Sequence, residues 1–295
     1  QEAADLTLAS AYLEALLPAA TISAPALYLQ HLRATTQNDR ATFIHLKETF
    51  FTTAPQLNKK DQTILLLLLL NRAGRLRLAG EEDIDLLILH LYQFGLTHQL
   101  LLSEGYLTEA TFTNIVVIAN ELKEHVFARS FVDNYVEKLT PVLQADGEVW
   151  GIAYTDAHAT GKVAATFAFS LSQRRRDYTS FYIRSKALLL SIYFDDLLAG
   201  ATQEVSFLLD YCHAFEKLLQ RYKKYPQKNR TAIIKSVQYV RKLCSLWQKP
   251  VALKELSKLA QKIKAEPALH DRRWLLQKID HMSRPPSYSK AKVCG

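Results

Sequence analysis

The stretch VSFLLDYCHAFEKLLQRY, Val205 to Tyr222, decides the fold. Within it Val205, Leu208, Leu209, Cys212, Phe215, Leu219 and Tyr222 recur at steps of one, three and four residues. Side chains three and four apart share a face only on a helix, so this is the apolar stripe of an amphipathic α-helix. The stretches after it repeat the pattern. Ile233, Val237, Val240, Cys244 and Trp247 alternate four- and three-residue steps, and Leu253, Leu256, Leu259 and Ile263 hold one side of the next segment. Pro226, Pro250 and Pro267 fall between these stretches, where proline ends helices. Earlier in the chain, Ile115-Val116-Val117-Ile118 is a short β-favouring run. It sits inside Thr108 to Lys123, whose length and flanking glutamates favour a buried helix. Continued along the sequence, this reading predicts about 11 to 13 helices with short connections, an all-α fold.

Composition supports that class. Nine glycines and nine prolines in 295 residues are too few for a turn-rich all-β or collagen-like chain. With 22% charged and 48% hydrophobic residues, general disorder is excluded. The longest apolar run, Ile64 to Leu70, is far short of the about 20 residues that a bilayer span needs, so no membrane partner is expected. Cys212, Cys244 and Cys294 are odd in number and lack metal-ligand spacing. Cys212 and Cys244 lie within apolar stripes, as buried thiols of a reducing compartment do, which points to the cytoplasm.

Around 150 to 169 the sequence reads as a helical hairpin. Trp150, Ala153, Tyr154 and Ala157 lead to a turn at Gly161, and Ala164, Ala165 and Ala168 follow. Small residues there allow two helices to approach closely. The Trp, the turn glycine and the small residues partly match a tetratricopeptide (TPR) unit, without a clean repeat along the chain.

Longer stretches carry a resemblance. Leu107-Thr-Glu-Ala-Thr-Phe-Thr-Asn-Ile-Val-Val117, then Phe127 to Pro141, Arg184-Ser-Lys-Ala-Leu-Leu-Leu-Ser-Ile-Tyr193, Val205 to Phe215 and Trp274 to Ile279 are its anchors. On these residues, between about 60 and 282, the chain resembles an uncharacterised TPR-like helical family of Bacteroidetes bacteria. It departs at Gly161-Lys162-Val163, where the family's glycine is closely followed by an aromatic residue. The resemblance implies a helical-repeat fold and supplies no activity or catalytic residues. The expected architecture is antiparallel helix pairs stacked as a TPR-like right-handed superhelix or α-solenoid. It forms one domain over 1–282, followed by a flexible basic tail over 283–295.

No motif for chemistry is present. The nine histidines form no H-E-x-x-H pair, and G-x-S-x-G, Walker A and G-x-G-x-x-G are all missing. The expectation is a protein that is not an enzyme and needs no cofactor. Glu81-Glu82-Asp83-Ile84-Asp85 precedes an apolar helical run, so its carboxylates are expected to complement the helix N-terminus. Asp195-Asp196 reads as a solvated pair.

Basic residues are the more informative feature. Arg174-Arg175-Arg176 lies between two helical segments, and Lys223 and Lys224, beside Tyr222 and Tyr225, precede Pro226. Lys254, Lys258 and Lys262 stand at i, i+4 and i+8, opposite the leucine stripe of their own helix. A series of aromatics from Tyr178 to Tyr225 follows the core period and reads as packing. Tyr222 and Tyr225 are set apart by their neighbouring lysines.

The formal charge of +8 is unevenly spread. Residues 1–210 carry 17 Lys plus Arg against 24 Asp plus Glu, while 211–295 carry 20 against 5, so an acidic body precedes strongly basic C-terminal helices. The resulting expectation is a scaffold that binds another protein or an acidic peptide. Arg174, Arg175, Arg176, Tyr222, Lys223, Lys224, Tyr225, Lys254, Lys258 and Lys262 are its candidate contacts. The alternative is nucleic-acid binding by the basic C-terminal helices.

Overall fold

A computed structural model describes residues 28, 40–79, 81, 83–161, 179–200, 204–223, 225–248, 253–267 and 269–283. Among these, eleven α-helices dominate and one small β-hairpin interrupts them. Contacts divide the chain into two compact units, Gln1–Ala159 and Thr160–Gly295.

The first unit runs α1 (Arg40–Thr53), α2 (Lys59–Ala79), α3 (Ile84–Thr97), β1 (Leu102–Ser103), β2 (Tyr106–Leu107), α4 (Glu109–Glu121), α5 (His125–Tyr135) and α6 (Pro141–Thr160). From α1 to α5, each helix packs on the next. Local chemistry sets the starts. The Asp61 amide donates to Asn58 Oδ1 at 3.0 Å beside the start of α2, and the Thr111 amide donates to Thr108 Oγ1 at 3.1 Å at the start of α4. Both satisfy amides that the first helical turn leaves without a carbonyl. The Ile115–Ile118 run is helical, with Ile115, Val116 and Ile118 buried.

The sequence reading contained no β-hairpin, yet Ser103 pairs with Tyr106 across Glu104 and Gly105. Both turn residues have positive φ, 52° and 84°, the two-residue geometry that matches strand twist. Strands of two residues are too short to show an alternating pattern. Close packing explains two helical glycines. A Cβ on Gly95 would lie 2.7 Å from Leu101 Cγ and Leu66 Cδ2, and one on Gly151 would lie 2.7 Å from Val132 Cγ2.

One carboxylate of the acidic cluster, Asp85, stands in the first turn of α3 as expected, and the structure gives it a further use. Asp83, at the N-cap of α3, has φ 57° and makes no side-chain cap. Asp85, 2% exposed, instead takes Arg77 Nε at 2.6 Å, and the same guanidinium reaches Glu121. One arginine therefore ties α2, α3 and α4 together. Burial alone would weaken its charge, but the two carboxylates prevail and its pKa is raised.

The second unit contains α7 (Thr179–Leu198), α8 (Val205–Arg221), α9 (Gln227–Trp247), α10 (Leu253–Ala265) and α11 (Arg272–Ser283). Here α7 packs on α8, α8 on α9, α10 on α11, and α9 also on α11. The stripes face inward as read: Leu208, Cys212, Phe215 and Leu219 from α8, Ile233, Val237, Val240 and Cys244 from α9, and Leu256, Leu259 and Ile263 from α10 form one core. The stripes overrun that core at one end, where Trp247 is 38% and Leu253 63% exposed. Burial pushes the thiols of Cys212 and Cys244 up to about 12, so both stay protonated and pack as small apolar groups.

Asp195 departs from the solvated pair expected. Its carboxylate takes Lys278 Nζ at 2.7 Å and the Trp274 indole N–H at 3.5 Å, joining α7 to α11. Burial raises its pKa, and the Lys278 ion pair only partly opposes that. The small residues 164–168, expected to form the second helix of the hairpin, lie outside the described residues, as do Cys294 and residues 284–295 of the expected tail.

Candidate partner-binding groove

Helices α8, α9 and α10 line an open groove of about 1100 Å³ on the second unit. Its construction follows from which helices touch. α8 packs along α9, and α10 is held by α11, itself packed on α9. The exposed face of α9 is thus a floor between two walls. Gln238, Arg241, Lys242 and Ser245 recur along it at i, i+3, i+4 and i+7. The α8 wall supplies Leu209, Asp210 and His213, and the α10 wall supplies Glu255, Lys258, Leu259 and Lys262.

Two sets of polar contacts fix the alignment of the helices. Glu216 accepts from Gln238 Nε2 at 2.8 Å and from Arg241 Nη1 at 3.2 Å, which places the middle of α8 level with residues 238–241 of α9. Glu266, just past α10, pairs with Lys235 and accepts from the Tyr239 hydroxyl at 3.5 Å. Both α8 and α10 therefore run antiparallel to α9. Counting back along each helix, Asp210 and Glu255 fall near the end of the groove where α9 stops. By the same count Lys258 stands level with Asp210, and Lys262 stands level with Arg241 and Lys242 at the middle of the floor.

The cations are held to different degrees. Arg241 is tied to Glu216, and Lys242 lies over the Tyr239 ring with Nζ 5.2 Å from its centroid. Lys258 and Lys262 are exposed and lack a carboxylate within ion-pair reach among the described residues. Beneath the charges, Leu209, Leu246 and Leu259 give the groove an apolar component.

The candidate contacts read from the sequence separate accordingly. Lys258 and Lys262 line the groove; Lys254 is exposed on the same helix but outside its lining. Lys223 is exposed at the end of α8, far from the groove along that helix. Tyr222 is half-buried against the core, and its carbonyl accepts from Arg230 Nη1 at 3.1 Å. Tyr225 is 6% exposed and belongs to the core, which leaves its ring no face for a partner. Arg174, Arg175, Arg176 and Lys224 lie outside the described residues.

The sequence reading missed the floor. Its signal is present, since residues 238, 241, 242 and 245 form a polar stripe opposite the buried one, but any solvated helix face has the same pattern. Among the described residues no group of three or more His, Cys, Asp or Glu side chains is arranged to hold a metal ion, and no helix is long and apolar enough to cross a membrane. Compared with family models, with curated proteins and with solved structures, the chain matches none.

Proposed function

We propose that this protein is a non-enzymatic helical-repeat scaffold that mediates protein–protein interaction, docking an acidic segment of its partner on the second unit. The observation that carries the reading is the groove between α8 and α10. It combines leucine side chains with exposed lysines, two of which belong to the ridge read from the sequence. Surfaces of this kind bind by covering apolar area and gain orientation from charge at the rim.

The finer architecture belongs to the same proposal: helix pairs stacked as a TPR-like right-handed superhelix or α-solenoid, as in the TPR-like family that the sequence resembles. Supporting it, α9 contacts both its neighbour α8 and the next-but-one helix α11. That is how stacked pairs bury a continuous core. The cytoplasmic reading rests on Cys212 and Cys244, both reduced and buried.

The full chain used as bait in a native lysate should recover a stoichiometric partner that rebinds when both proteins are purified. Reversing the ridge with Lys254→Glu, Lys258→Glu and Lys262→Glu should weaken that purified complex by about tenfold or more. Unchanged affinity removes the ridge from the mechanism. Recovery of no partner, together with a shift of labelled RNA or DNA that fades steeply with salt, would overturn the scaffold reading in favour of nucleic-acid binding.

A further inference from the structure

The scaffold reading, on which this inference rests, leaves open the chemistry of the group that the groove receives. The register of the three helices sets His213, Arg241, Lys242 and Lys262, all of the lining, at one level. Glu216 meets Gln238 and Arg241, so His213, one turn earlier on α8, stands level with Arg241 and Lys242. Glu266 meets Lys235 and Tyr239, so Lys262, one turn earlier, reaches the same level from α10. Glu216 draws Arg241 toward the α8 wall. Lys242 lies over the ring of Tyr239, whose hydroxyl donates to Glu266 beside the α10 wall. The row thus crosses the groove from wall to wall. His213, Lys242 and Lys262 are exposed and have no carboxylate within ion-pair reach among the described residues.

Carboxylates bound this row along the groove in both directions. Toward the end of α9, Asp210 stands level with Lys258, and Glu255 follows. Toward the start of α9 come Glu216, paired with Arg241, and Glu266, paired with Lys235. The row therefore matches a single anionic group. A chain of anions fits worse, because the next phosphates of a strand would pass Asp210 or Glu216. Among the described residues no Phe, Tyr or Trp lines the groove for base stacking. A carboxylate brings one charge and two acceptor oxygens. A phosphate monoester brings about 1.5 to 2 charges and three strong acceptor oxygens, which suits donors arriving from more than one wall. Leu209, Leu246 and Leu259 lie on the Asp210 side of the row and would cover apolar neighbours of that group in the docked segment.

We infer that the middle of the groove is a phosphate-binding site that receives a phosphorylated side chain of the docked partner segment, with His213, Arg241, Lys242 and Lys262 as its donors. Phosphorylation of the partner then strengthens docking by adding charge-assisted hydrogen bonds at one point of the contact.

The probe is phosphoserine blocked at both ends, titrated into the isotope-labelled full chain and followed by NMR. Amide signals around His213, Arg241 and Lys262 should shift and saturate with a Kd of about 1–10 mM. Blocked glutamate should bind about tenfold more weakly. Lys242→Ala with Lys262→Ala should weaken phosphoserine binding about tenfold or more. Lys254→Ala, outside the lining, should leave it unchanged, and the rest of each variant's spectrum checks the fold. Equal binding of phosphoserine and glutamate, shifts confined to other parts of the chain, or none by about 50 mM, overturns the inference. So does displacement of blocked phosphoserine by a single-stranded oligonucleotide or by phosphatidylserine vesicles at equal phosphate concentration. The purified partner separates this inference from the reading beneath it. Phosphatase treatment of the partner should weaken the complex about tenfold or more. If treatment changes nothing while reversal of the lysine ridge still weakens the complex, the inference falls and the scaffold reading stands. If the ridge is not needed either, both fall.

Discussion

The two units differ in the sign of their charge and in where they place it. Residues 1–159 carry 11 Lys plus Arg against 19 Asp plus Glu, and residues 160–295 carry 26 against 10. The acidic unit draws charge inward: Asp85, almost fully buried, and Glu121 share Arg77 and tie three helices. The basic unit builds its core from apolar stripes and leaves lysines on α10 in solvent around a groove. A buried ion pair is costly to break because the survivor stays buried without a partner, while an exposed one adds little. The Arg77 triad therefore bears on the stability of the first unit, while the second adds the partly buried Asp195–Lys278 pair and keeps Lys258 and Lys262 in solvent.

The largest effects should come from the interiors. In the Cys294→Ser background, native Cys212 and Cys244 should react with a thiol reagent at about a hundredth or less of their rate in denaturant, because burial keeps them as thiols. Rapid native labelling would break the picture of a dry second core. Arg77→Ala should cost about 3 kcal/mol, since it removes the cation that the buried Asp85 and Glu121 share, and a denaturant titration of the full chain measures it. A loss below about 1 kcal/mol would place the triad among ordinary surface pairs.

Smaller effects sharpen the contrast through packing. Gly95→Ala forces a methyl against Leu66 and Leu101 and should destabilise the first unit by about 1–2 kcal/mol. Gly74→Ala on α2 meets nothing within 4 Å and should stabilise by about 0.5–1 kcal/mol through helix propensity alone. The same substitution with opposite signs separates a packing glycine from an incidental one.

The smallest effect is a slope with pH. Asp195 has a raised pKa in the folded chain, so the folded state holds its proton more tightly than the unfolded state. Its contribution to stability is greatest below the ordinary carboxylate range and falls as pH rises through the folded pKa. Asp195→Asn should flatten that part of the stability profile; an unchanged slope would assign it to other carboxylates.

Periodicity made the helices legible because burial of a helix face imposes its 3.6-residue repeat directly on the chain. Val205 to Tyr222 shows this, and even Ile115 to Ile118 yielded to helix length over β-propensity. The two-residue strands left no comparable trace. Lys258 and Lys262 were legible as a ridge for the same reason as the stripes, being one face of one helix. That they overlook a groove was not, because α8, α9 and α10 meet only in the folded unit. Tyr225 shows the reverse failure: a lysine beside it in sequence suggested a surface, yet the fold turns its ring into the core.

The sequence by itself determined the helical class, the inward stripes of the second unit and the imbalance of charge along the chain. These are properties of single segments, fixed by side-chain spacing and count. Tertiary structure alone decided that Asp85 and Asp195 are paired, that Gly95 marks a close contact and that α8, α9 and α10 meet around one groove. Each depends on which residues distant in sequence become neighbours, and burial and pairing are properties of neighbours.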